Sequence, residues 1–304
     1  MQYVNKYNLP QYLVDWLTRD DYDHNSDPLT LSATTLMKPV RAYWLTRRHG
    51  DNLTVDVSEL IASRLGNAIH DSIEQVETPN VSKEQRLSRK LEMGGISYTI
   101  SGKYDIMVYD ESTKKWTIRD IKTTSVWAWI YGGKDEDYRK QLSIYRWLAV
   151  ATGVELEPVA CIDFIFTDWQ SQKAKTEDNY PQQRIKAGYK IELLSLEETE
   201  RYIRERLENF FTFKELPDTQ LPLCTKEELW ATEDTFAVMK AGAQRATKVC
   251  ETREEAEIYI RDKQIKTAFV EFRQGKAKRC KYCSAAPFCD QFKRLTEQRL
   301  VEYF

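Results

Sequence analysis

The most restrictive stretch of the chain runs Gly102-Lys103-Tyr104-Asp105-Ile106-Met107-Val108, then resumes as Trp116-Thr117-Ile118-Arg119-Asp120-Ile121-Lys122-Thr123-Thr124. Each half alternates apolar and polar positions and is rich in β-branched residues, the pattern of a half-buried strand. The gap from Tyr109 to Lys115 carries Asp110, Glu111, Ser112 and two lysines, which predicts a hairpin loop. Period-two alternation puts Asp120 and Lys122 on one face of their strand, with Asp105 near the equivalent point of the neighbouring one. Buried without a partner, each such charge costs roughly several kcal/mol. A divalent cation is the natural compensation, because hard cations take oxygen ligands and one or two carboxylates suffice. Such an ion activates water and polarises a phosphoryl oxygen. The lysine can then orient or deprotonate the attacking water and offset charge on the phosphate.

Two helices complete this constellation. From Ser58 to about Val76, Leu60, Ile61, Leu65, Ile69, Ile73 and Val76 recur at helical spacing. His70 lies beside that stripe, one turn after Gly66, with Glu74 a further turn on. A neutral imidazole suits a third metal ligand; a packed or capping histidine is the alternative. Asp137 to Ala151 predicts a second helix, closed by Gly153. Gln141 and Tyr145 are one turn apart on it and share a face.

Asp105 followed by Asp120-Ile121-Lys122 resembles the PD-(D/E)XK nuclease signature in its RecB-like exonuclease form. The upstream histidine of Gly66-Asn67-Ala68-Ile69-His70 and the downstream Gln141-Leu142-Ser143-Ile144-Tyr145 stand in that family's order. The resemblance implies an α/β fold: a restriction-endonuclease-like core, with a central mixed β-sheet flanked by helices, and a small C-terminal α+β cysteine-bound module. The corresponding division is an N-terminal helical segment over 1–57, a nuclease core over 58–217 and a module over 218–304. It also implies that His70, Asp105, Asp120 and the Ile121 carbonyl bind Mg²⁺ or Mn²⁺, that Lys122 positions the attacking water, and that Gln141 and Tyr145 steady the substrate. The expected activity is exonucleolytic hydrolysis of DNA, at ends or on single strands. The pattern resembles stand-alone phage-encoded members that serve replication, recombination or DNA degradation, with recombination or replication proteins as partners. A structure-specific endonuclease is one alternative. A catalytically silent DNA-binding or assembly protein is another, against which the intact His70, Asp105, Asp120 and Lys122 set argues.

Cys280, Cys283 and Cys289 form C-x2-C-x5-C, a spacing that lets one turn of backbone aim two sulfurs at a single metal or cluster. Cys224 is the candidate fourth ligand, because it precedes the small C-terminal insertion and can close it as a loop. Cys161 and Cys250 sit in strand-like stretches and read as core. The cluster resembles the C-terminal part of AddB and of the four-cysteine nucleases of CRISPR adaptation. That resemblance implies a structural [4Fe–4S] cluster, with zinc or free thiols as alternatives; the upstream cysteine usual in those relatives is missing here.

A net charge of −2 gives no global nucleic-acid signal. Local basic stretches remain: Arg41, Arg47 and Arg48, and the run Arg273, Lys276, Lys278, Arg279, Lys281. Each reads either as phosphate contacts or as a solvated face. Trp127, Trp129 and Tyr131, just past Lys122, read either as a stacking surface for unpaired bases or as core. The N-terminus lacks the apolar core of a signal peptide, and no run approaches the ~20 apolar residues that span a bilayer, so a cytoplasmic protein is expected, in the host cell if phage-encoded.

Elsewhere the pattern predicts a helix near Gln11–Leu17, a polar loop over 20–28, a helical stretch from Ser32 interrupted at Pro39, a loop over 78–89 and one strand over Lys90–Ile100. Further on it predicts a strand over Pro158–Trp169, a loop over 170–188, a strand over Tyr189–Leu194 and a helix from a Ser195/Glu198 capping box to about Phe213. The last third reads as strands at 235–239, 245–250 and 269–273 around a helix at 252–263.

Overall fold

The computed structural model describes residues 2–20 and 27–302, so the loop expected at 20–28 falls mostly outside the described residues. Two compact units emerge, one comprising Tyr3–Lys38 and Val55–Thr212, the other built on Pro39–Thr54 and the chain from Phe213 onward.

The first unit carries α1 (Ile61–Glu74), β1 (Val81–Lys83), β2 (Arg86–Met93), β3 (Ile96–Lys103), β4 (Ile106–Asp110) and β5 (Lys115–Thr124). After these come α2 (Asp135–Val150), β6 (Val159–Phe166), β7 (Ile185–Glu192) and α3 (Leu196–Thr212). A five-stranded sheet runs in the order β7-β6-β5-β4-β1. β5 pairs antiparallel with β4 and parallel with β6, and a parallel neighbour requires a crossover, which α2 supplies. The result is a mixed α/β layer, as expected from the sequence, with β5 at its centre.

The capping box at α3 is reciprocal: Glu198 N–H donates to Ser195 Oγ (3.1 Å) and Ser195 N–H to Glu198 Oε2 (2.8 Å). α2 starts with Asp135, Glu136 and Asp137, which favour the positive end of the helix dipole, and buries Leu142, Ile144, Tyr145, Trp147 and Leu148.

Three expectations change. The single strand foreseen over Lys90–Ile100 is a hairpin, β2 and β3, turning at Gly94 (φ 58°) and Gly95 (φ 76°). Two consecutive positive φ values are what a primed two-residue turn demands; the alternation continuing on both sides hid the break. This hairpin forms a second, three-stranded sheet with Thr30–Ser32. The loop foreseen over 78–89 holds β1 and the start of β2, and the loop over 170–188 holds the short helix Ser171–Thr176.

In the second unit, Thr235–Lys240 lies between Lys248–Cys250 and Ala268–Arg273 as a three-stranded antiparallel sheet. The helix Arg253–Asp262 is capped by Thr252, whose hydroxyl accepts from Glu255 N–H (3.1 Å). The helix Val40–His49 belongs to this unit and begins directly after Pro39. Arg41 is only 1% exposed. It donates to the carbonyls of Leu221 and Pro222 and pairs with Asp290. Arg48 and His49 both meet Asp218. Arg41 and Arg48 are therefore internal ties, neither phosphate contacts nor a solvated face. Among the described residues no helix is long and apolar enough to cross a membrane.

Gly102, near the end of β3, is required by packing: an added Cβ would lie 2.8 Å from Tyr145 Cε1 and 3.0 Å from Leu148 Cδ1 of α2. Gly102→Ala is expected to lower stability by about 1–3 kcal/mol through overpacking, read from the urea midpoint. An unchanged midpoint would contradict this contact.

Candidate active site

The site grows out of an interruption in the sheet. β4 pairs with β5 only as far as Ile106↔Arg119. Two residues further along β5, Ile121 has no β4 partner, because the chain at Tyr104–Asp105 has left the sheet towards β3. Buried backbone groups need partners, and side chains supply them. Ile121 N–H donates to Asp105 Oδ2 at 2.8 Å, and His70 Nε2 lies 3.2 Å from the Ile121 carbonyl. His70 comes from α1, and its Nδ1 faces Asp105 Oδ1 at 3.6 Å and Glu84 Oε1 at 3.9 Å. Glu84 also pairs with Lys103, and its N–H donates to the Asp105 carbonyl (2.9 Å).

Asp120 and Lys122 meet as alternation requires. Lys122 Nζ lies 2.7 Å from Asp120 Oδ2, a close ion pair without an aligned hydrogen bond, so this buried oxygen keeps unused acceptor capacity. Asp120 is 2% exposed. Burial, with the nearby Asp105 charge, pushes its carboxyl up to about 6 even though Lys122 pulls the other way. Burial also opposes the Lys122 ammonium, but Asp120 and Asp105 outweigh it and hold that group above its ordinary value. The Asp105 carboxylate likewise raises His70. Lys122 further sits 5.7 Å from the ring centroid of Tyr138.

As the side chains stand, no group of three His, Cys, Asp or Glu residues among the described ones is arranged to hold a metal ion. The ammonium of Lys122 instead occupies the free side of Asp120. The donor set nevertheless fits a hard cation: a buried carboxylate oxygen without an aligned donor, a second carboxylate, a backbone carbonyl and an imidazole. His70, Ile73, Glu74, Lys83, Glu84, Asp105, Ile106 and Ile121 line a common pocket beside it.

Gln141 Nε2 donates to the Tyr145 hydroxyl at 2.9 Å, and the Tyr145 ring is buried where Gly102 makes room. Two residues escaped the sequence reading. Glu84 lies in a stretch taken as loop, with no local signal. Tyr138 was legible, since it precedes Gln141 by three and Tyr145 by seven residues on the same helical face.

In the second unit Cys224, Cys280, Cys283 and Cys289 all line one cavity. Gln291 clasps the backbone of Cys224 from both sides, accepting from its N–H (2.8 Å) and donating to its carbonyl (2.9 Å). Burial pushes Cys224 up to about 12 and Cys280 to about 11, and the neighbouring cysteines add to both. Burial raises Cys283 too, partly offset by the N–H groups of Ala285 and Ala286 aimed at its sulfur. Cys161 and Cys250 are buried elsewhere, in β6 and in the small sheet. The basic run beside the cysteines is largely engaged internally: Arg273 with Glu271, Lys278 with Glu302, Arg279 over Trp230.

Residues 77–290 match the family described as the PD-(D/E)XK nuclease superfamily. Among solved structures, that of SSO0001 aligns with a TM-score of 0.47 at 21% identity, over 68% of this chain and 87% of that one. No curated protein matches the chain.

The raised Asp120 carboxyl sets a pH signature. Its folded value, about 6, exceeds the ordinary carboxyl value of 3.8, so its contribution to stability is complete below about 3.8 and is lost as pH rises through about 6. In chelator, the melting temperature of the wild type relative to Asp120→Asn is expected to fall by roughly 5 °C between pH 4 and pH 7. Mn²⁺ should narrow that fall at pH 7 and leave pH 4 unchanged. A flat difference across this range would refute the assignment.

Proposed function

The chain belongs to the PD-(D/E)XK nuclease superfamily, and from that premise we propose that it is a metal-dependent deoxyribonuclease acting on DNA ends. The observation that carries the reading is the Asp120–Lys122 pair at the centre of the sheet, its carboxylate buried, with Asp105 and His70 alongside. A structural protein gains little from two carboxylates and an ammonium inside a low-dielectric core, whereas functional sites use such arrangements to shift pKa values.

Members of this superfamily typically use divalent ions, and Asp105, Asp120, the Ile121 carbonyl and His70 are the proposed ligands for Mg²⁺ or Mn²⁺. Such an ion, when bound, activates water and neutralises phosphate charge. The protein's own part is positional. Asp105, anchored on Ile121 N–H, keeps its second oxygen directed to His70. Lys122 stays an ammonium, orienting the attacking water and stabilising negative charge on the phosphate in the transition state. Gln141, held by Tyr145, contacts the substrate strand.

For the second unit we propose a structural [4Fe–4S] cluster on Cys224, Cys280, Cys283 and Cys289. Four thiols line one cavity, and burial raises Cys224, Cys280 and Cys283, a sulfur set that a metal centre would compensate.

Two experiments test these readings. On end-labelled linear DNA with Mg²⁺ or Mn²⁺, the wild type should cut, and Asp120→Ala and Lys122→Ala should each lose at least about 100-fold in rate, the scale of a lost charge-stabilising group; wild-type inactivity with both ions would sink the nuclease reading. Circular single-stranded DNA should survive, and its cleavage would indicate the endonuclease alternative. Anaerobically purified protein should absorb broadly near ~400 nm, as iron–sulfur thiolate sites do, and Cys224→Ser should reduce that band. Zinc without the band would replace the cluster.

A further inference from the structure

Immediately after β5 the chain enters the short helix Val126–Ile130. It is fixed by Ser125 Oγ accepting from Ala128 N–H (3.2 Å) and by Val126 N–H donating to Asp168 Oδ1 (2.7 Å). Its aromatic residues divide into two groups. Trp129 is packed, against Phe164 (5.1 Å between centroids) and Tyr189 (5.0 Å). Trp127 and Tyr131 face outward. Trp127 is 38% exposed and Tyr131 79%, and their rings stack with centroids 6.0 Å apart and planes 22° from parallel. Buried Tyr180 braces Trp127 edge-on. A stacked pair of large rings left in water has no packing purpose of its own.

The charges around this pair are selective. The segment from Ser171 to Lys186 carries Lys173, Lys175, Arg184 and Lys186 against Glu177 and Asp178. Three of those cations sit over tryptophans: Lys173 Nζ 4.7 Å from the centroid of Trp127, Lys186 Nζ 4.8 Å from Trp129, and Arg184 Cζ 6.0 Å from Trp169. Acidic groups lie close as well, Asp168 on Val126 N–H and Asp135 on the Tyr189 hydroxyl, so what distinguishes this surface is cations placed on aromatic faces rather than a net positive charge. Sequence-tolerant recognition of unpaired nucleic acid uses this combination, with bases stacked on rings and phosphates held by cations. The patch also adjoins the candidate active site. At most about 17 Å of chain separates Lys122 from Trp127. A cavity lined by Ala128, Trp129, Tyr138, Phe164 and Tyr189 lies between that helix and the Tyr138 ring against Lys122.

We propose that Trp127 and Tyr131 form a stacking platform for the bases of an unpaired DNA strand, with Lys173 on its phosphates, so that the strand is delivered to Lys122 and Asp120 single-stranded. This rests on the nuclease reading for its catalytic consequence, while the binding itself is testable alone. The occupant is a nucleic acid strand rather than an apolar protein segment because a cation, Lys173, sits at the exposed Trp127 ring, with Lys186 at the neighbouring Trp129.

The test is fluorescence anisotropy of the full chain, in chelator so that nothing is cut, with a labelled thymidine oligonucleotide and a labelled duplex of equal length. Tyr131→Ala should weaken single-strand binding about 10-fold and the Trp127→Ala/Tyr131→Ala double variant about 100-fold, the range for lost base stacking, while duplex affinity stays within about twofold. Tyr131→Phe, which keeps the ring, should bind like wild type. Because Tyr131 is so exposed, its replacement does not put folding at issue. Unchanged single-strand affinity in both alanine variants overturns the platform and leaves the surface to a protein partner, as does an equal loss on duplex. Cleavage measured in parallel separates the two claims: variants that bind normally while the wild type cuts refute only the platform, and ring-dependent binding by a wild type that cuts nothing refutes only the nuclease.

Discussion

The first unit depends on how the charge of Asp120 is accommodated. β5 has strands on both sides and helices against it, so a carboxylate on it is cut off from water. Desolvation alone would drive it neutral. Lys122, two residues on, returns part of that cost at 2.7 Å, but the carboxyl still sits well above its ordinary value. The remaining imbalance is what makes the site chemically useful, since a second positive charge is accepted there more readily than elsewhere in the core. The interruption of β4 at Ile106↔Arg119 contributes the other half. It frees the Ile121 N–H and carbonyl, and Asp105 and His70 assemble on them. The same backbone gap is thus filled by the side chains of Asp105 and His70, which it gathers near Asp120.

The second unit solves a different problem. Among the described residues its core is divided into small clusters, one of the three-stranded sheet with its helix and another around Ala277, Cys280 and Val301, each little for a stable domain. Arg41 ties the 221–222 segment, which leads to Cys224, to Asp290, which follows Cys289. Gln291 holds Cys224 itself. A fully buried guanidinium is tolerated because two carbonyls and a carboxylate each accept from a different one of its three nitrogens. These ties bring the four cysteines to one cavity, which a loose loop connection would not do. The aromatic helix after β5 shows the opposite economy: Trp129 is spent on packing, while Trp127 and Tyr131 remain outside with cations over or near them.

The amino-acid sequence by itself determined the hairpin of β4 and β5, the shared face of Asp120 and Lys122, the helices bearing His70 and Gln141, the Ser195/Glu198 cap and the strands and helix of the last third. These rest on periodicity and on contacts within a few residues, which local chemistry dictates. The sequence also singled out Cys224 as the candidate companion of Cys280, Cys283 and Cys289, and all four line one cavity. What only the tertiary structure decided was where long-range partners meet. It turned Arg41 from a surface candidate into a buried tie to residues about 180 and 249 positions away. It recruited Glu84 beside His70 from a stretch that reads as loop, split 90–100 into a hairpin of a separate sheet, and left Trp127 outside while packing Trp129 on Phe164 and Tyr189. Each of these depends on which surface another part of the chain covers. That is set by the packing of distant segments, and no window of neighbouring residues encodes it.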